Sequence, residues 1–279
     1  MAVSRPVSFP AVRESLPAME NPYVRLTHEF NEGRLRAILA SGQAVVLYRL
    51  AIMSKDGDWI LREDDEALAH VIETLGRHGA RYRFGAPLDR RWLAHGWSSH
   101  LEFQEEGLRL RCDFVTRPAR VSPADLAALW EAPVQKEAPV VGLPVLAELK
   151  KTNREKDYAV IGELARRMED PRLEALYSRS ARDLLQLRER YPAVVEQVAR
   201  ERPLLARLSE GRDEIERLLD EERRKLMRLN EERLGRYLRA AGTWGAQWPR
   251  LSRQLEGRPL AEAHEMMREW AGELLPAEP

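Results

Sequence analysis

Hydrophobic positions along this chain follow two spacings: short extended runs in the first half and helical stripes over most of the second half. Residues 27–42 (THEFNEGRLRAILASG) predict a helix, and residues 44–48 (AVVLY) predict a short buried strand. Residues 56–61 (DGDWIL) predict a second strand, and residues 63–79 (EDDEALAHVIETLGRHG) predict an amphipathic helix. This mixture predicts an α+β fold in which a sheet is flanked by helices.

A hairpin is predicted within residues 100–115 (HLEFQEEGLRLRCDFV), where two extended runs meet at Glu106-Gly107. The second run ends near Asp113, an acidic residue between apolar neighbours. Ser122 then predicts the N-cap of a short helix, because a proline follows it at the first helical position.

Three regions are predicted along the chain. Proline-rich residues 1–27 predict an irregular arm, residues 28–170 an α+β domain, and residues 171–279 a helical region. Prolines 133, 139 and 144 mark the connection that leads out of the sheet. Beyond it, five helices are predicted, at 144–168, 171–191, about 192–208, 211–241 and 258–275. Because the α+β domain should close its own core near residue 170, we expect residues 171–279 to bind a protein partner or to self-associate.

Composition excludes several classes of function. Lysine plus arginine and aspartate plus glutamate both number 45, so zero net charge gives no global attraction to nucleic acid or membrane. Cys112 is the single cysteine, which excludes an intrachain disulfide and a multi-cysteine metal cage. The sequence shows neither a signal-peptide pattern nor a long uncharged apolar run, so we expect a cytoplasmic protein without a membrane partner.

Three aspartates carry the candidate chemistry. Asp56 and Asp58 are two residues apart, so on a strand both carboxylates would lie on one face, and Asp113 lies at the end of another strand. Converging carboxylates suit one or two Mg²⁺ ions, which clamp a triphosphate during phosphoryl or nucleotidyl transfer. Asp56-Gly57 is also typical of a tight hairpin turn, so the local sequence leaves both interpretations open.

The order of these features resembles the nucleotidyltransferase-like superfamily, in particular its small bacterial members with a helical C-terminal tail. The resemblance covers about residues 28–170. It rests on the Asp-x-Asp strand at 56–61, on the strand containing Asp113, and on residues 146–164 (LAELKKTNREKDYAVIGEL), which resemble the Leu-x-x-Leu-Lys…Arg-x-Lys-Asp helix of the family. It implies a mixed nucleotidyltransferase-like sheet.

The resemblance also implies roles for individual residues. Asp56, Asp58 and Asp113 would hold Mg²⁺ or Mn²⁺, with Asp113 also the candidate catalytic base. Lys150 and Arg154 would lie near the phosphates of a bound NTP. The implied reaction transfers a nucleoside monophosphate to a hydroxyl on a small molecule, a protein or a tRNA end, with a toxin–antitoxin role among the implications.

One departure from the family pattern favours a competing hypothesis. Active members carry Gly-Gly or Gly-Ser after the first strand, whereas the predicted strand at 44–48 leads into Arg49 and Leu50. Arg49 either replaces part of the phosphate cradle or marks a decayed site. Weak or absent transfer is therefore expected, and a catalytically silent scaffold acting through its helical tail is the alternative.

The remaining clusters of polar and aromatic residues do not predict a further site. The spacing of the histidines matches no zinc motif, and Trp92 and Trp97 are expected to pack rather than to stack a base. The segment Ser98-Ser99-His100 lacks a nucleophile-elbow pattern, so hydrolase catalysis is not predicted.

Overall fold

The computed structural model of the chain describes residues 21–131 and 138–279, so most of the predicted N-terminal arm and part of the proline-rich connection lie outside the described residues. A five-stranded mixed sheet organises the first half, in the order β1-β2-β5-β4-β3. Only the β2–β5 pair is parallel, and the other three pairs are antiparallel. The strands are β1 (Ala37–Ala40), β2 (Asp56–Leu61), β3 (Arg81–Gly85), β4 (Ser99–Glu105) and β5 (Leu108–Val115).

Helices flank the sheet and form most of the second half of the chain. Those that precede or interrupt the strands are α1 (Pro22–Phe30), α2 (Ser41–Leu47), α3 (Asp65–Arg77) and α4 (Arg90–Leu93). Those that follow are α5 (Pro123–Leu129), α6 (Leu143–Leu149), α7 (Glu155–Ala165), α8 (Pro171–Tyr177), α9 (Ala181–Arg190), α10 (Pro192–Val198), a 3₁₀ helix (Pro203–Glu210), α11 (Arg212–Ala240), α12 (Gly242–Leu255) and α13 (Leu260–Leu274). The α+β class is therefore confirmed.

The alternation of side chains along the strands divides the interior into two layers. Trp59, Phe114 and Cys112 point to one face, where they pack with Phe30 of α1 and with residues of α3, α12 and α13. Ile60 points to the other face, which α2, α6 and α7 cover. A third cluster, remote from the sheet, is built from α8 to α11 and the 3₁₀ helix.

Two predicted elements near the start of the chain are wrong. The predicted helix at 27–42 is instead α1 followed by β1: Asn21 caps α1, Pro22 occupies its first turn, and Gly33 adopts φ +75° after its end. The predicted strand at 44–48 lies within α2 and the turn after it, although its valines favour extended backbone. Burial of Ala44 and Val45 beneath β1 and β2 outweighs that local preference.

The hairpin between β4 and β5 is confirmed with its predicted corner. Glu106 (φ +50°) and Gly107 (φ +79°) are both left-handed, as a two-residue turn that follows strand twist requires. The N-cap at Ser122 is also confirmed, because its hydroxyl accepts from the Asp125 backbone N–H. Asp56-Gly57, in contrast, lies inside β2 and does not form a hairpin corner.

The predicted boundary at residue 170 does not separate two cores. Trp244, Met267 and Leu275 are buried in the same cluster as Trp92 and Leu75 of the sheet domain. The Trp92 indole donates to the carbonyl of Leu275 at 3.1 Å. Helices α12 and α13 therefore complete the layer on the α1–α3 face of the sheet, and only α8–α11 with the 3₁₀ helix form a helical core of their own.

No helix in the described part of the chain is both long and apolar enough to cross a membrane.

Candidate functional site

A single row of residues crosses all five strands on the face that carries α2 and α6. Register pairs Ala40 of β1 with Asp58 of β2, Asp58 with Asp113 of β5, Asp113 with His100 of β4, and His100 with Phe84 of β3. Neighbouring strands lie about 4.8 Å apart, so successive members of this row are within contact range. The row forms the floor of a cleft of about 530 Å³.

The walls of the cleft come from segments far apart in the sequence. They comprise the turn after β5, the loop between α6 and α7, the segment before β4, and the C-terminal part of α11. Buried Asn230 of α11 ties two of these walls together, since it accepts from the Arg120 guanidinium and donates to the carbonyl of Lys151. The helical region thus closes one side of the site.

The two carboxylates on the floor have opposite pKa shifts. Burial, followed by the nearby charge of Asp113, raises the pKa of Asp58 from 3.8 to about 7, although Lys150 and a hydrogen bond from Ser41 act against this rise. Burial also raises the pKa of Asp113, but contacts with His100 and Arg83 outweigh it and leave that pKa below its usual value. Asp113 Oδ1 lies 2.7 Å from both His100 Nδ1 and Arg83 Nη2.

Of the three predicted metal ligands, the structure brings two together on the cleft floor. Asp58 and Asp113 line the cleft, whereas Asp56 lies one pleat away and faces Arg111, with 3.5 Å between Asp56 Oδ1 and Arg111 Nη1. Asp56 Oδ1 is buried and has no hydrogen-bond partner among the described residues. Across residues 21–131 and 138–279, no three His, Cys, Asp or Glu side chains are grouped closely enough to hold a metal ion.

A Ser-Gly pair follows the first strand, which corrects the apparent absence of glycine there. Because β1 is Ala37–Ala40 and not 44–48, the residues directly after it are Ser41 and Gly42. Ser41 has φ +47° and lines the cleft, and its side chain hydrogen-bonds Asp58. A Cβ on Gly42 would lie 2.2 Å from Ser54 Oγ, so a side chain at this position would force Ser54 to move.

Lys150 and Arg154 converge, although not on one continuous helix as predicted. Helix α6 ends at Leu149 and α7 begins at Glu155, so both cations lie in the intervening turn. Buried Asp157 gathers them, at 2.9 Å from Arg154 and 3.8 Å from Lys150. Lys150 is buried, and its charge lies close enough to Asp58 to lower the pKa of that carboxyl group. Arg154 is half-exposed and lines the cleft.

Arg49 lies elsewhere. It is exposed in the turn after α2, at the opposite end of that helix from Ser41, and it does not line the cleft. Its predicted place in a phosphate cradle depended on the strand at 44–48, which the structure does not contain.

Sequence reasoning did not identify His100, Arg83 and Arg233 as site residues. His100 was detectable in principle, since alternation along the strands places it opposite Asp113 once the turn at Glu106-Gly107 fixes the register. Arg233 had no such signal, because only packing of α11 brings it to the cleft.

No protein-family model, curated protein or solved structure matches this chain.

Proposed function

We propose that the cleft binds a nucleoside triphosphate and transfers its nucleoside monophosphate to a hydroxyl group. The observation that carries the proposal is the pairing of Asp58 with Asp113 on parallel neighbouring strands, beside Ser41-Gly42 at the end of the first strand. The resemblance to the nucleotidyltransferase-like superfamily implies carboxylates on neighbouring strands and glycine after the first strand, although the pair here is Ser-Gly and Asp56 does not line the cleft.

The cationic side of the cleft suits the phosphates. Arg154 and Arg233 both line it, and Arg233 Nε is buried without a hydrogen-bond partner among the described residues. Burial, and after it the nearby charge of Arg233, lowers the pKa of Arg120, which also lines the cleft. A phosphate bound beside Arg120 and Arg233 would relieve the repulsion between these two cations, and it would accept a hydrogen bond from Arg233 Nε.

The carboxylates fit a divalent cation that is shared with the nucleotide. Mg²⁺ in proteins is commonly held by one or two carboxylates together with substrate phosphates and water, so Asp58 and Asp113 suffice without Asp56. Burial and, after it, repulsion from Asp113 raise the pKa of Asp58, and a cation held by both carboxylates would remove the repulsion. When bound, the cation would neutralise phosphate charge and favour attack on the α-phosphorus.

The side chains supply binding and orientation. Lys150, held by Asp157, adds positive charge beside Asp58, and Ser41 orients the Asp58 carboxylate through its hydrogen bond. Contacts with His100 and Arg83 lower the pKa of Asp113, which weakens it as a proton acceptor, so the proposal does not use Asp113 as the base. Asp113 instead fits a role in which its carboxylate stays ionised.

The test is calorimetric titration of each NTP in the presence of Mn²⁺, followed by incubation with α-labelled NTP, Mn²⁺ or Mg²⁺, and host lysate or tRNA. We expect binding and label transfer by wild type and loss of both in Asp58→Asn, while Arg49→Ala serves as a matched control that keeps both. Equal binding of NTP and Mn²⁺ by wild type and Asp58→Asn would refute the proposed site.

A second candidate, a binding module that acts through the helical region, is favoured by one observation. On α11, Leu229 and Leu238 are 52% and 72% exposed, and Leu234, which lines the cleft together with Leu238, is 37% exposed. Large exposed apolar side chains near one another mark contact surfaces. If this surface binds a protein or a second copy of the chain, Leu238→Glu should abolish a complex that light scattering detects in wild type; a monomeric wild type that captures no host protein would exclude it.

A further inference from the structure

Ser98, His100 and Asp113 form a relay of close polar contacts on the cleft floor. Ser98 Oγ lies 2.8 Å from His100 Nε2, and His100 Nδ1 lies 2.7 Å from Asp113 Oδ1. His100 Nδ1 is buried and close to the Asp113 carboxylate, but it does not form a hydrogen bond with a described residue in this structure. All three residues line the same cleft.

This geometry is that of a serine activated by a histidine. In the tautomer that carries its proton on Nδ1, beside the Asp113 carboxylate, the His100 ring presents the Nε2 lone pair to the Ser98 hydroxyl proton. Ser98 precedes β4 by one residue and His100 is the second residue of that strand, so alternation places both on the face where β5 presents Asp113. The absence of a nucleophile-elbow sequence is therefore no obstacle, because strand register assembles the three groups.

The surrounding backbone keeps the relay in place. Gly85 adopts φ +95°, and a Cβ there would come within 2.6 Å of both the His100 ring and the Ser98 carbonyl oxygen. The Ala86 N–H donates to that carbonyl at 2.9 Å. From α12, the Trp244 indole donates to the carbonyl of Gly85 at 3.1 Å. The backbone of Gly85 can therefore lie this close to Ser98 and His100 because glycine has no side chain.

We propose that Ser98 is itself a nucleotidyl acceptor, so that the protein modifies its own cleft. In this step Ser98 Oγ attacks the α-phosphorus of the NTP and its proton passes to His100 Nε2. The Oγ–P bond forms, the bond from the α-phosphorus to the oxygen bridging to the β-phosphorus breaks, and pyrophosphate leaves. His100 is then a catalytic residue in contact with the reacting oxygen, and Asp113 is a positioning residue. The inference rests on the proposed function.

The relay and the proposed cation can share Asp113. The contacts from His100 and from Arg83 both fall on Oδ1, whereas Asp58 lies across the neighbouring strand pair. Asp113 would therefore belong to both the relay and the residues that hold the cation.

The experiment incubates the full chain with Mn²⁺ and either α-labelled or γ-labelled NTP, and then maps the modified peptide by mass spectrometry. We expect α-label but not γ-label on Ser98, complete loss of label in Ser98→Ala, and at least about a tenfold slower reaction in His100→Gln, given the 10²–10⁴-fold typical of general bases. His95→Gln changes a nearby histidine outside the relay and should label like wild type. Calorimetry on each variant checks that NTP binding is retained.

The two proposals fail in distinguishable ways. An unlabelled Ser98 in protein that binds the NTP overturns this inference alone. Label on another residue, or label on Ser98 that persists at the wild-type rate in His100→Gln, also overturns it. Absence of NTP binding overturns the proposed function and this inference with it.

Discussion

Replacing Asp58 by asparagine should stabilise the folded protein at alkaline pH while removing its proposed function. The pKa of Asp58 rises from 3.8 to about 7 on folding, because burial and the charge of Asp113 disfavour its anion. A folded pKa above the unfolded one means that the stabilising protonated form is fully present below pH 3.8 and is lost as pH rises to about 7. Above that pH the carboxylate opposes folding.

The magnitude follows from the shift. About three pKa units at about 1.4 kcal/mol each give an upper limit of about 4 kcal/mol for the destabilisation at pH 8. Asp58 keeps partial exposure to the cleft, so screening reduces this, and we expect about 2 kcal/mol, or a melting temperature higher by about 5 °C in Asp58→Asn. The asparagine carbonyl still accepts the hydrogen bond from Ser41, so packing should be preserved.

The assay is thermal unfolding with EDTA present, from pH 4.5 to pH 8. The advantage of Asp58→Asn should grow over this range and level off above about pH 7. Asp113→Asn is the matched control and should be destabilised at pH 8, because His100 and Arg83 lower the pKa of Asp113 and stabilise its anion. An Asp58→Asn variant that melts below wild type at pH 8, or a difference independent of pH, would refute the reasoning.

Three further predictions follow from the same contacts. Arg154→Ala should weaken NTP binding in calorimetry and leave the melting temperature within about 2 °C, since exposed ion pairs contribute little, whereas Arg49→Ala should change neither; equal affinities in both variants would contradict this. Asp157→Ala should destabilise the fold by about 3–5 kcal/mol in denaturant unfolding, because it leaves buried Lys150 unpaired, and a loss below about 1 kcal/mol would show that pairing to be dispensable. A chain ending at residue 170 should lose cooperative unfolding by circular dichroism, because it lacks Trp244 and the α13 residues of the sheet core; a sharp transition would contradict the shared core.

Local sequence was sufficient wherever neighbouring residues decide the conformation. Glu106-Gly107 fixed a two-residue turn, and Ser122 followed by proline fixed a helix start, since both signals act within a few residues of backbone. The spacing of Asp56 and Asp58 likewise fixed their shared strand face. From these signals alone, the α+β class and two carboxylates of the candidate site, Asp58 and Asp113, were predictable.

Tertiary contacts decided what local preference could not. Residues 44–48 have β-branched side chains but lie in α2 and the turn after it, because burial against the sheet outweighs their propensity. The pairing of Asp58 with Asp113 and of Asp113 with His100 depends on strand order and register, which join residues up to 55 positions apart. The local sequence of α12 and α13 resembles that of the other helices in the second half of the chain. They nevertheless pack on the sheet, because their apolar faces are buried against its α1–α3 face. The sequence therefore determined the conformation of short segments, whereas the free energy of burying distant surfaces together determined which side chains meet in the cleft.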